Sequence, residues 1–170
     1  MRVDAKKNLE GVIIDKYDNE NHLCLAIENN IDSFCEKMFG EKCIKYEREA
    51  RVADTKLRYD FVLYFKGSLS DIGIDKKVIL ECKSGCSSSN LMQGYSQLLL
   101  YETASLLGLL KKHNGLDLFK KIPVSEMVDS YLVSDVYDEL VDCAAMRMYG
   151  EKRFIFARRS TGEFINLKDA

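Results

Sequence analysis

Apolar positions change their period along this chain, and each change marks a new element. From Asn19 onward, Leu23, Ile27, Ile31, Phe34 and Met38 recur every three or four residues, which predicts one amphipathic helix ending at Gly40. The pattern then shortens to alternation and to β-branched and aromatic runs. Strands are predicted in "CIKYEREARV" (43–52), "LRYDFVLYF" (57–65) and "KKVILECK" (76–83), with residues 67–73 turning the chain between the last two. "GCSSSN" supplies loop and cap residues for a long helix over 91–110, which is apolar nearly all round and so expected to be buried, and "HNG" ends it. "SYLVS" (130–134) reads as a buried strand, "DVYDELVDCAAMRMY" (135–149) as a helix, and "RFIFARRSTGEFINL" (153–167) as a hairpin turning at "STGE". A short helix capped by Asp4 is predicted over 5–17, whereas 116–127, with the only proline, Pro123, keeps no clear period. The order helix, three strands, helix, strand is that of an α/β sandwich around one mixed sheet.

The pattern breaks where it should be most apolar. "VILECKSG" (78–85) runs a strand into Glu81 and Lys83, which alternation places on one face of the sheet with Cys82 opposite. Asp60 likewise interrupts the preceding strand between Tyr59 and Phe61. A buried carboxylate needs compensation, and two acids on adjacent strands repel; a divalent cation removes that repulsion, whereas Lys83 alone offsets it in part. The string acid-x-Lys carries no information by itself, because "DAK", "DTK" and "DKK" also occur. Only "ECK" ends an apolar strand with a second strand-borne acid twenty-one residues earlier. On these residues alone a purely structural Glu81–Lys83 ion pair stays open. On the long helix the only two glutamines, Gln93 and Gln97, stand four apart on a stripe that continues to Tyr101. Polar groups on a buried helix need partners, so Gln97 and Tyr101 either satisfy each other or face the charged strand.

Taken together, Asp60, Glu81-x-Lys83 and Gln97-x-x-x-Tyr101 resemble the PD-(D/E)xK nuclease superfamily, and the last element is similar to its RecB-type branch. The resemblance covers Asn19 to about Ser134; Tyr59 stands in place of the proline that names the superfamily. It implies a restriction-endonuclease-like α/β/α sandwich with a central mixed sheet, an αβββαβ core over about 19–134, plus a C-terminal helix and hairpin, in one nuclease-like domain spanning 1–170. The implied activity is that of a metal-dependent nuclease, with DNA as the expected substrate. Asp60, Glu81 and the backbone carbonyl of Cys82 would hold one or two Mg²⁺ or Mn²⁺ ions, and Lys83 would orient the attacking water or stabilise transition-state charge. An acid on the first helix would complete the metal shell: Glu20, in the apolar stripe, is the first choice and Glu28, at its edge, the second. Gln97 and Tyr101 would hold the substrate backbone or buttress Lys83. Arg58, Lys83, Arg153, Arg158 and Arg159 are candidate phosphate contacts, with Arg147 and Lys152 in the same basic tail, for which a solvated hairpin face is the alternative. Three other readings remain open: a non-cleaving nucleic-acid-binding or interaction module with the nuclease fold, an RNA endonuclease, and an unrelated α/β domain.

Composition narrows these readings. At 170 residues, 46% hydrophobic and 31% charged, the chain has room for one domain with a substantial core. A formal net charge of -2 excludes coating of nucleic acid by bulk charge, so any contact must be local or helped by bound cations. The six cysteines form no CxxC pair and follow no secretory signal, which fits reduced thiols and a cytoplasmic or nuclear location; no apolar run is long enough to span a bilayer. Some RecB-type relatives bind an iron-sulfur cluster through one cysteine before the core and three after it. Here only Cys143 lies clearly after the core, so no cluster is expected. His22 and His113 are isolated and do not suggest metal ligands. No recognition domain is attached, so sequence-specific cutting would call for a homodimer or a partner chain.

Overall fold

A computed structural model describes residues 15–51, 56–66, 75–85, 87–112 and 128–168. Its elements run α1 (Glu20–Glu28), α2 (Ile31–Phe39), β1 (Lys45–Arg48), β2 (Phe61–Lys66), β3 (Asp75–Lys83), α3 (Ser88–Lys112), β4 (Val128–Ser134), α4 (Glu139–Tyr149), β5 (Phe154–Arg158) and β6 (Glu163–Asn166). The expected turn at 67–73, the "HNG" stop and the stretch 116–127 lie outside the described residues. So does the expected helix over 5–17, except for residues 15–17, which are not helical.

The six strands form one mixed sheet in the order β1-β2-β3-β4-β5-β6. The β1–β2–β3 pairs are antiparallel, β3–β4–β5 parallel, and β5–β6 an antiparallel hairpin. Parallel neighbours cannot be joined by a tight turn, and α3 lies on the connection from β3 to β4. One face of the sheet, through Phe61, Leu63, Leu80 and Cys82, packs on Leu23 and Ile27 of α1 and Phe34 and Met38 of α2. The other, through Val62, Ile79 and Leu132, packs on Leu91, Tyr95 and Leu98 of α3 and Val141 and Ala145 of α4. The architecture is an α/β sandwich. No helix among the described residues is long and apolar enough to cross a membrane.

Three expectations are corrected. The single helix from Asn19 to Gly40 is two, because Asn29 caps the end of α1 and Asn30 the start of α2. The Asn30 side chain donates to the Ala26 carbonyl at 3.2 Å, the local competition with helical bonding that makes asparagine a helix breaker. The apolar stripe survives the break, since Leu23, Ile27, Phe34 and Met38 are all buried. Second, α3 is one-sided: Leu99 and Leu100 are 44% and 50% exposed, while Leu91, Tyr95, Leu98 and Tyr101 form the buried stripe. Third, the strands expected over 43–52 and 57–65 contract to 45–48 and 61–66. The ladder between them is interrupted at Glu49, which has φ 50°, and resumes in the same register at the Arg51–Arg58 bridge.

Gly94 sets how closely α3 lies on the sheet. A Cβ there would stand 2.6 Å from Leu132 Cδ1 and 3.3 Å from Lys83 Cγ. Leu132 is fully buried, so its methyl would have to shift within the packed core to make room. Gly94→Ala is therefore expected to lower stability by about 1–2 kcal/mol in urea unfolding, overpacking outweighing the better helix propensity of alanine. An unchanged or higher midpoint would mean that α3 can move outward freely.

Candidate active site

The site forms where the β2–β3 ladder stops. Phe61 is the last residue of β2 paired with β3, opposite Leu80, so Asp60 falls opposite Glu81 but outside the strand. Beyond Leu80 the β2 side of β3 lacks a strand partner, and the Cys82 N–H donates to Asp60 Oδ2 at 2.6 Å. Glu81 and Lys83 lie side by side as alternation requires, the ammonium donating to Glu81 Oε1 at 2.7 Å. Glu20, the first residue of α1, comes within 3.6 Å of Lys83 Nζ through Oε2. Three chain segments thus bring Glu20, Asp60, Glu81 and Lys83 to the end of β3. Glu81 is buried, Lys83 nearly so, and Glu20 half exposed at the rim.

Glu20 reaches this place by a different route from the one its position in the stripe suggests. It is exposed at the N-terminus of α1, directly after the Asn19 cap, rather than on the apolar face. Glu28 turns the other way, accepting from Tyr46 at 3.2 Å and Arg48 at 3.1 Å on β1. Cys82 faces away from Glu81, as expected, but not from Asp60: the thiols of Cys24 and Cys82 and an Asp60 oxygen all lie within 4.8 Å of one another.

The electrostatics follow from burial. Desolvation raises the Asp60 carboxyl to about 6, the Cys82 N–H opposing this and Glu20 adding to it. Desolvation and then the Asp60 charge raise Glu81 to about 7, against the pull of Lys83. Burial alone would lower Lys83, yet its bond to Glu81 and the charges of Glu81, Glu20 and Asp60 push it up to about 12. The acids outweigh the one ammonium among them. Because both raised carboxyls hold protons more tightly in the folded than in the unfolded chain, the metal-free protein should lose stability as pH rises from about 4 through 7. Asp60→Asn keeps an acceptor for the Cys82 N–H but removes the charge. In chelator at pH 8 it should therefore stabilise the fold, by on the order of 1–2 kcal/mol, and flatten the pH slope. A lower melting temperature for this variant would show that neither burial nor the neighbouring acids make the Asp60 charge costly.

On α3, Gln97 Nε2 donates to the Tyr101 hydroxyl at 3.4 Å, so these two do satisfy each other in part. Gln97 Oε1 is buried without a partner among the described residues. Desolvation and then the charges of Glu81 and Asp60 raise the Tyr101 phenol to about 12, which sets it within the field of the acids. Gln93 is exposed. The arginines are mostly engaged elsewhere. Arg153 is nearly buried against Glu102 at 2.7 Å, Arg158 pairs with Glu163 at 3.8 Å, and Arg159 forks onto Asp18 at 2.6 and 2.9 Å. Arg58, exposed, donates to the Glu49 carbonyl at 2.8 Å.

Four contributors escaped the sequence reading. Arg48 and Cys24 sit beside Asp60 but belong to no spacing pattern. Gly94 was passed over within an apolar helix. Asp135 accepts from the Tyr17 N–H at 2.7 Å, the Ser84 hydroxyl at 2.8 Å and the Gly85 N–H at 2.8 Å, so it pins the loop that follows Lys83. Its signal was present, since "YLVSD" ends an apolar strand in an acid just as "VILE" does. Compared with family models, curated proteins and solved structures, the chain matches none.

Proposed function

We propose that the protein is a metal-dependent nuclease of the restriction-endonuclease-like fold, acting on DNA. The observation that carries this reading is the convergence of Glu20, Asp60 and Glu81 on one ammonium, Lys83, at the end of a buried strand. An ion pair built for stability would balance its charges. Here burial and mutual repulsion hold two carboxyls well above their ordinary range, an oxygen-rich and under-compensated cluster that suits a hard divalent cation. Asp60, Glu81 and the backbone carbonyl of Cys82 would hold Mg²⁺ or Mn²⁺, with Glu20 at the rim. The ion would supply a polarised phosphate and a more acidic bound water.

The chain's own groups have distinct tasks in this scheme. With its pKa at about 12, Lys83 stays charged at neutral pH, so it donates hydrogen bonds to developing negative charge and does not act as a base. Tyr101 stays a neutral phenol and buttresses the site from α3. Of the four arginines expected to contact phosphate, Arg153, Arg158 and Arg159 already hold carboxylates, whereas Arg58 among the described residues donates to a carbonyl and keeps further donors for a substrate phosphate. The test is incubation of the purified chain with labelled single- and double-stranded DNA and RNA, in Mg²⁺, Mn²⁺ or chelator. Cleavage of DNA that chelator stops is expected. No cleavage of any substrate with either metal would withdraw the proposal, and cleavage of RNA alone would redirect it.

A further inference from the structure

We infer that Cys24 Sγ, Cys82 Sγ and a carboxylate oxygen of Asp60 form a site for a thiophilic divalent cation, Zn²⁺ or Cd²⁺, separate in chemistry from the oxygen cluster, with which it shares Asp60 and, through its thiol rather than its carbonyl, Cys82. The three atoms lie within 4.8 Å of one another and come from α1, from the residue before β2 and from β3, so the fold itself assembles them. Both cysteines are buried, 2% and 0% exposed, and their thiols are hydrogen-bonded to each other. Tetrahedral zinc with sulfur at about 2.3 Å and oxygen at about 2.0–2.2 Å needs ligand separations of roughly 3.5–3.8 Å, which small rotamer changes reach from here. A fourth position would be open to water.

The donor set decides which ion enters. Mg²⁺ and Mn²⁺ take oxygens, whereas two sulfurs and one oxygen select a soft or borderline ion. On binding, both thiols lose their protons to solvent, and two thiolates balance the ion's charge. The charge of Asp60 is then met by Arg48 and Lys83, both of which already act on it. Occupancy draws Asp60 toward the thiols and away from Glu81, so the ion would inhibit any activity that needs both acids.

The direct test is titration of the full chain with Cd²⁺ in the presence of a phosphine reductant, read in the ultraviolet thiolate-to-cadmium charge-transfer band. This readout does not depend on cleavage, so it can fail while the nuclease reading stands, and the reverse. A first tight equivalent is expected for the wild type. It should be lost in Cys24→Ser, and Asp60→Asn should weaken it by at least about tenfold. Cys82→Ser sits in the core and could unfold the chain, so Cys24→Ser, checked for cooperative thermal unfolding, is the deciding variant. Cys35 and Cys43 also contact each other, and Cys143 is exposed, so Cys43→Ser and Cys143→Ser are controls that should keep the band. Retention of the first equivalent in Cys24→Ser, its loss in Cys43→Ser, or the lack of any tight equivalent in the wild type would overturn the inference.

Discussion

Lys83→Met should reduce metal-dependent DNA cleavage by at least a hundred- to a thousandfold, the scale on which removing a positioned donor to transition-state charge acts. Methionine keeps the apolar stem that packs near Gly94 and removes only the ammonium. Folding should survive at mildly acid pH, because Glu81, deprived of its partner, takes up a proton; its carboxyl already stands at about 7 with Lys83 present. At pH 8 the same variant carries a buried and unpaired carboxylate and should melt earlier than the wild type. The measurement therefore has two parts: rates on labelled DNA at pH 6.5, where both proteins are folded, and melting curves at pH 6.5 and 8. A variant that cuts at the wild-type rate would reduce Lys83 to the structural partner of Glu81.

The other large effect lies away from the site. Arg153→Ala should lower stability by roughly 2–3 kcal/mol, below the 3–5 typical of a fully buried pair because both partners keep some access to water. Arg153 holds Glu102 at 2.7 Å and Glu151 at 3.3 Å, and lies 4.7 Å over the Tyr149 ring. Glu102 also accepts from the buried Ser130 hydroxyl. Burial raises its carboxyl even with these partners in place. Without Arg153 that carboxyl would rise further, so the loss should be largest at high pH and shrink as Glu102 becomes protonated. Urea unfolding at pH 5 and pH 8 measures both. Unchanged stability together with weakened DNA binding would instead make Arg153 a phosphate contact.

Much of the layer order could be read from the sequence, because period carries it. The apolar run of β3, the stripe of α1 and α2, and the hairpin at "STGE" each depend on residues close together in the chain. The acids were visible for the same reason, as charges in runs that burial makes apolar. What failed was whatever depends on who stands opposite. Asn29 and Asn30 divide a helix whose apolar period runs on unbroken. Glu20 meets Lys83 from an exposed helix start, and Cys24 meets Cys82 across the layer between α1 and the sheet. The exposure of Leu99 and Leu100 reflects where α3 has no neighbour among the described residues, which hydropathy cannot report. Arg153 and Arg159 likewise looked available only because Glu102 and Asp18 lie far away in sequence.

Asp135 gives the chain a practical boundary. Through one carboxylate the backbone at Tyr17, a segment upstream of every helix and strand described, is tied to the loop behind Lys83. A recombinant product begun at Asn19, where the first helix suggests a natural start, would cut that tie and leave the loop next to the lysine held only by its bonds to Asp135. Such a product should still fold around its sheet yet lose order at the Lys83 end of β3, and a bulky fusion placed just before Lys16 should do the same. Expression designs that trim to the helices and strands would discard part of what holds the Lys83 loop.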